Sequence, residues 1–145
     1  MGTVVHIIVA PKKGAPAQSV SAVEALPGQG LTGGHHADAT LIELENIEAF
    51  TRATNLALTP AMPRRNIVTR GVRLNDLCGK RFRVGGAVFE GLELAEPCKL
   101  FARRTHPEAL QFFAGKGGLR ARIVAGGSIR VGDALAALET VTGIA

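Results

Sequence analysis

Two glycine pairs restrict the fold of this chain more than any other feature. RFRV-GG-AVFEGLEL (residues 81–94) reads as a hairpin, with strands at Arg81–Val84 and Ala87–Leu94 around Gly85-Gly86. LRARIVA-GG-SIRVGDAL (residues 119–135) reads as a strand, a Gly-Gly hairpin turn and a further strand. An isolated hairpin is marginal in water, so such strands must join a larger sheet. The whole chain has 18 glycines and 7 prolines, which suits a β-rich fold better than a helical bundle. It has 6 Phe but no Tyr or Trp, so Val, Ile, Leu and Ala must build most of the core. Its 145 residues fit one domain, residues 1–145, around one core.

More strands are expected on either side of these pairs. TVVHIIVA (3–10) is rich in β-branched residues, and QSVSAVEAL (18–26) reads as one strand. In ATLIELENIEAFTRATN, a strand from Ala39 to Ile42 passes into a helix near Glu43. Leu44, Ile47 and Phe50 then recur at helical spacing. Arg65 to Arg70 should be extended. LNDLCG reads as a short helical turn stopped by Gly79. Short helices are expected at Cys98–Arg104 and Pro107–Phe113. The sum is a mostly β chain, barrel-like, with two or three short flanking helices.

The net charge is +5, which favours an anionic partner such as nucleic acid, a phosphorylated cofactor or a membrane surface. Few aromatics weigh against single-stranded nucleic acid, whose bases stack on such rings. No apolar run is long enough to span a bilayer. The N-terminal stretch lacks the basic region and cleavage site of a signal peptide, so a cytoplasmic protein is expected. Cys78 and Cys98 form neither a CxxC pair nor a disulfide framework, and both are expected as free thiols.

Two glycine-rich motifs look like nucleotide sites and are read otherwise. GQGLTG (28–33) matches the dinucleotide fingerprint, but no helix opens after it. AGKGGL (114–119) lacks the GK[ST] of a phosphate-cradling loop and reads as a helix end. His35 and His36 are adjacent, and no other ligand stands at zinc spacing. His36, with Asp38, could help to bind an anion. His6 reads as a strand histidine.

PRRNIVTRG (63–71) concentrates three arginines and an asparagine. Guanidinium forks bind phosphate or carboxylate, and an amide offers both donor and acceptor. Strand alternation would put Arg64, Asn66 and Arg70 on one face, able to line one pocket, with Arg65 on the other. A solvated strand edge is the plainer reading. Cys78 sits in an apolar helical context and is expected to be buried and inert. Cys98 follows a proline at a helix start, with Lys99, Arg103 and Arg104 close behind. Unpaired N–H groups and cations there favour a thiolate. On the residues alone, a reactive thiol and a buried structural cysteine both stay open.

The block RRNIVTRGVRLNDLCGKRFRVGGAVFEGLELAEPCKL closely resembles the core of the MOSC domain, named for the C-terminal domain of molybdenum cofactor sulfurases. GGLRARIVAGGSIRVGDAL resembles that family's closing barrel strands, and GLTGGHHADATLIELENIEAF its glycine/histidine loop with the following strand and helix. Where relatives often carry Gly-Asp-Arg/Lys-His, this chain has GGHHAD. The resemblance implies a β-barrel-like fold. It also implies a molybdenum–pterin cofactor or a carried sulfur, with Cys98 of EPC as the catalytic sulfur carrier or the molybdenum ligand. Arg64, Arg65, Asn66, Arg70 and His36 become the expected cofactor-binding residues. Longer relatives reduce N-hydroxylated compounds, so electron-donor proteins or a cysteine desulfurase are the implied partners. Pyridoxal phosphate also attaches to the family. No lysine here has a recognisable Schiff-base context, so direct binding is not expected.

Three functions follow from this reading. The first is cofactor binding through Cys98 in a small oxidoreductase. The second is a persulfide carrier downstream of a desulfurase. The third is a basic nucleic-acid-binding barrel.

Overall fold

The computed structural model describes residues 1–138. In chain order its strands are β1 (Gly2–Val9), β2 (Gln18–Val20), β3 (Ala22–Leu26), β4 (Gly30–Leu31), β5 (Ala39–Glu43), β6 (Ile67–Arg70), β7 (Arg81–Val84), β8 (Ala87–Leu94), β9 (Leu119–Ala125), β10 (Gly127–Arg130) and β11 (Ala134–Ala137). The helices are α1 (Leu44–Thr54), α2 (Lys99–Arg104) and α3 (Ala109–Phe112), with a 3-10 turn at Leu74–Leu77. The last residues of the expected C-terminal strand region, from Glu139 on, lie outside the described residues.

Seven strands close into a barrel in the order β11-β7-β8-β9-β5-β6-β1, and β1 pairs back to β11. Only β5 and β6 run parallel in this ring, because α1 forms the crossover between them. β2 adds to β1 outside the ring, and β10, β3 and β4 form a separate small sheet.

The residue pattern accounts for the two sides of the barrel. β7 alternates exposed arginine with buried Phe82 and Val84, so one face fills the barrel and the other is wet. On that wet face Glu90 pairs with Arg81 and Arg122. β1, β5 and β6 are apolar on both faces instead. Ile7, Leu41 and Ile67 enter the barrel core, while their neighbours Ile8, Ile42 and Val68 enter a second core. That second core is completed by Ile47 and Phe50 of α1, Phe101 of α2 and Phe113 after α3. α1 stops at Asn55, whose left-handed φ of 61° lets its N–H reach the Thr51 carbonyl at 2.8 Å.

The first glycine pair turns a hairpin as expected, with Val84 opposite Ala87. The second does not. β10 leaves β9 and pairs with β3, Ile129 facing Val23. Gly126-Gly127 is therefore a change of sheet, and the physical reason is close packing. A Cβ on Gly127 would lie 2.1 Å from the Gly86 carbonyl oxygen. The Gly86 N–H donates to Ser128 O at 2.8 Å. The two glycine pairs pack on each other. The expected strand 18–26 likewise divides at Ser21, with β2 joining β1 and β3 joining β10. GQGLTG forms the turn and second strand of the β3–β4 hairpin, and AGKGGL follows α3 as a turn.

Candidate functional site

Where β1 leaves the barrel, a cavity of about 310 Å³ opens. Ile8, Val9 and Leu31 give it apolar walls. Its polar rim comes from four separate stretches: Lys13, His35 with His36, Arg64 with Arg65, and Arg104. Cationic groups thus converge from a loop, a turn and a helix. Asp38 also lines the cavity, but its carboxylate is paired with Arg120.

Each arginine is held differently. Arg64 stands in a turn after Pro63, with a left-handed φ of 58°. Its Nη1 donates to the Ala15 carbonyl at 2.7 Å, tying the turn to the loop after β1. Arg65 donates Nε to Gly117 O at 2.9 Å and Nη2 to Ala95 O at 2.8 Å. Burial pushes its pKa down to about 10, with Arg104 adding to this and Cys98 opposing it. Arg104 is also pushed down, first by burial and then by Arg64. Both shifts arise first from burial of the guanidinium, and the neighbouring arginine adds to each.

Cys98 caps α2 at the edge of this cluster and is exposed. Its sulfur makes no capping hydrogen bond. The backbone N–H of Phe101 is the leading influence that lowers its pKa. Partial burial opposes this. The Leu100 N–H and the charges of Arg65 and Arg104 reinforce it. The sulfur is therefore both accessible and biased toward its nucleophilic form.

The strand-alternation argument needs correction at Arg65 and Arg70. Regular strand begins only at Ile67, so Arg64 and Arg65 sit in irregular backbone and both reach the cavity. Arg70 lies at the far end of β6, exposed, and pairs with Glu48 of α1 at 3.3 Å. Asn66 lines the cavity, but its amide serves the fold. Its Oδ1 accepts from the Thr40 N–H at 3.1 Å, and its Nδ2 donates to Ile8 O at 3.0 Å. Thr40 occupies Oδ1, through its N–H and its hydroxyl, which leaves the second N–H of the Asn66 amide as the group able to meet a ligand.

Cys78 also differs from expectation. It is exposed, because the turn at Leu74–Leu77 buries Leu74 and Leu77 and leaves the next residue outside. His36 does line the cavity. Burial, His35 and Arg104 lower its pKa in that order, and Asp38 opposes them. His35 is fixed by a 2.8 Å contact between Nδ1 and the Ala10 carbonyl.

Arg104, Lys13 and His35 complete the site without having been singled out for it. The sequence does carry a signal for Arg104. It stands four residues after Leu100, on the same side of α2, and both line the cavity. Lys13 has no such signal, since only the tertiary path of its loop brings it near Arg64.

A family model for the MOSC domain matches residues 28–136, most of the chain. The chain belongs to the MOSC domain family. The match spans β4 to β11 and so includes the Arg64–Arg65 turn, Cys98 and Arg104. Solved structures superpose closely on the chain. YiiM from Geobacillus stearothermophilus aligns at TM-score 0.80 and 19% identity, over 99% of this chain and 78% of that one. The YuaD protein from Bacillus subtilis aligns at 0.81 and 13%, over 93% and 94%. YiiM from Escherichia coli aligns at 0.72 and 20%, over 96% and 71%. At these identities the likeness is one of fold. No curated protein matches the sequence. Among the described residues no helix is long and apolar enough to cross a membrane.

Proposed function

We propose that this MOSC domain binds a molybdenum–pterin cofactor in the arginine-rimmed cavity, with Cys98 as the protein's ligand to the metal. The observation that carries the reading is the convergence of Arg64, Arg65 and Arg104 on one cavity, with Cys98 outside its lining but close enough for the charges of Arg65 and Arg104 to favour its thiolate. The residues fit the group. Thiolate suits a soft metal centre. Arg64 and Arg104 offer guanidinium donors to a phosphate. Apolar walls from Ile8, Val9 and Leu31 suit a flat heterocycle. Among the described residues no three His, Cys, Asp or Glu side chains could hold a bare metal ion. A metal at Cys98 must therefore arrive with ligands of its own, as a pterin-bound metal does.

Such a group, when bound, supplies a two-electron redox centre. The chain's own part is to hold the anion, to shield one face of it, and to keep the Cys98 proton off the sulfur. Metal analysis and the fluorescence of oxidised pterin, on protein purified from a cofactor-making host, test this. Both signals should be present and should fall together in Cys98→Ser. Absence of both under saturating cofactor supply overturns the reading.

The exposure of Cys98 favours a second reading, a persulfide carrier. The thiolate would attack the outer sulfur of a donor persulfide. A new S–S bond forms at Cys98, the donor's S–S bond breaks, and the donor leaves as thiolate. Persulfide labelling after incubation with a cysteine desulfurase tests it, and equal labelling of Cys98→Ser rules it out.

A further inference from the structure

The outer side of α2 carries a second concave feature, separate from the cavity. A shallow groove runs between α2 and the start of α3, lined by Lys99, Ala102, Arg103, Thr105, Pro107 and Leu110. Its floor is apolar, and Leu110 remains 42% exposed. Lys99 and Arg103 stand one helical turn apart on its rim. Neither forms an ion pair among the described residues. On the barrel wall Arg81, Arg120 and Arg122 each have a carboxylate partner, whereas Arg83 forms no ion pair among the described residues. The groove adjoins Cys98 directly, since Lys99 is the next residue.

We propose that this groove docks an acidic, apolar-tipped segment of the protein that delivers sulfur to Cys98. The inference rests on the reading of Cys98 as a sulfur acceptor. Transfer of a sulfane sulfur requires the two sulfur atoms to meet, so the donor's reactive segment must sit beside Cys98. Two unpaired cations set beside exposed apolar surface select negative charge flanking an apolar side chain. The groove and the cavity share no lining residue.

Disulfide exchange on the full chain tests the docking, in a Cys78→Ser background so that only Cys98 reacts. The probes are short peptides bearing a cysteine–thiopyridine disulfide, one rich in Asp and Glu around a Leu, the other with Lys in their place. Cys98 thiolate attacks the peptide sulfur and thiopyridone leaves, which gives an optical rate. At low salt the acidic peptide should react about tenfold faster than the basic one. Lys99→Glu/Arg103→Glu should remove that preference, and Leu110→Asp should slow the acidic peptide. Neutral dipyridyl disulfide reports intrinsic thiol reactivity, and each peptide rate is read as a ratio to it, so that any change in the Cys98 pKa in these variants divides out.

If the preference survives the double charge reversal, steering comes from the cavity arginines and the docking proposal falls, while Cys98 remains a competent acceptor. If Cys98 reacts with none of the probes near neutral pH, the acceptor reading falls and the docking falls with it. A dimer in solution that buries Leu110 overturns the docking in favour of a second copy of the chain.

Discussion

The guanidinium carbon of Arg65 lies 4.8 Å from the centre of the Phe101 ring. This contact joins the turn before β6 to the helix that starts at Cys98. Phe101 is anchored in the second core against Phe113. Arg65 in turn holds the carbonyls of Ala95 and Gly117. One side chain therefore fixes the approach to Cys98 from both sides.

Arg65→Lys should destabilise the protein although the charge is kept. An ammonium lacks the planar fork that reaches two carbonyls and stacks on the ring. Leaving one buried carbonyl unpaired costs about 1–3 kcal/mol. Urea unfolding should show a lower midpoint with an unchanged slope. A midpoint equal to that of the parent would mean that the fork is not needed to hold these segments.

The Cys98 thiolate should be visible in alkylation kinetics. The thiolate attacks the iodoacetamide carbon and expels iodide, and the thiol hardly reacts, so the rate of Cys98 modification against pH reports its pKa. The midpoint should lie below that of an ordinary thiol, and Arg104→Gln should raise it by removing a cation that favours the thiolate. Linkage gives the matching stability effect. A depressed folded-state pKa stabilises the fold above the unfolded thiol pKa of about 8.5, and this is lost as pH falls through the folded value. A midpoint at or above the ordinary value in the native protein would contradict the arrangement around α2.

Much of this was legible in the residues, because the strong signals were local. α1 follows from Leu44, Ile47 and Phe50, and the hairpin of β7 and β8 from alternation around Gly85-Gly86. Cys98 as a helix cap followed from proline and the basic run behind it. What failed was non-local. Gly126-Gly127 looks like a hairpin turn in sequence, since close packing on Gly86 leaves no mark beyond the glycines themselves. The structural partners of Asn66 left no mark in sequence, because Thr40 and Ile8 are 26 and 58 residues away. Arg70 was grouped with Arg64 by alternation, which holds only inside a strand. Arg64, with its positive φ, lies outside one.

The packing of the two glycine pairs predicts a sharp contrast between alanine substitutions. Gly127→Ala puts a Cβ 2.1 Å from the Gly86 oxygen, and both partners are backbone that cannot rotate away. Overpacking of this kind costs about 1–3 kcal/mol or more. Gly14→Ala meets nothing within 4 Å, and only its φ of 81° is strained. That strain alone costs about 1–2 kcal/mol. Thermal unfolding should place Gly127→Ala well below Gly14→Ala, with loss of soluble protein as its extreme form. Equal melting temperatures would show that the barrel and the small sheet can separate at this point.

His36 should couple anion binding to pH. Burial, His35 and Arg104 hold its pKa below the usual 6.5, and only Asp38 pulls the other way. The folded protein therefore resists a proton that the unfolded chain accepts. Stability from this residue is unaffected well above pH 6.5 and declines as pH falls through it toward the lower folded value. An anion beside Arg64 and Arg104 reverses the balance, because it offsets the cations that repel the imidazolium. Sulfate is the suitable probe, since it stays a dianion across this range. Its affinity should rise about threefold to tenfold between roughly pH 7.5 and 5.5, and its presence should restore stability at the acid end. His36→Gln should flatten the pH dependence while leaving the high-pH affinity in place. A native profile with no slope would place the anion out of reach of His36, on the Lys13 side of the cavity.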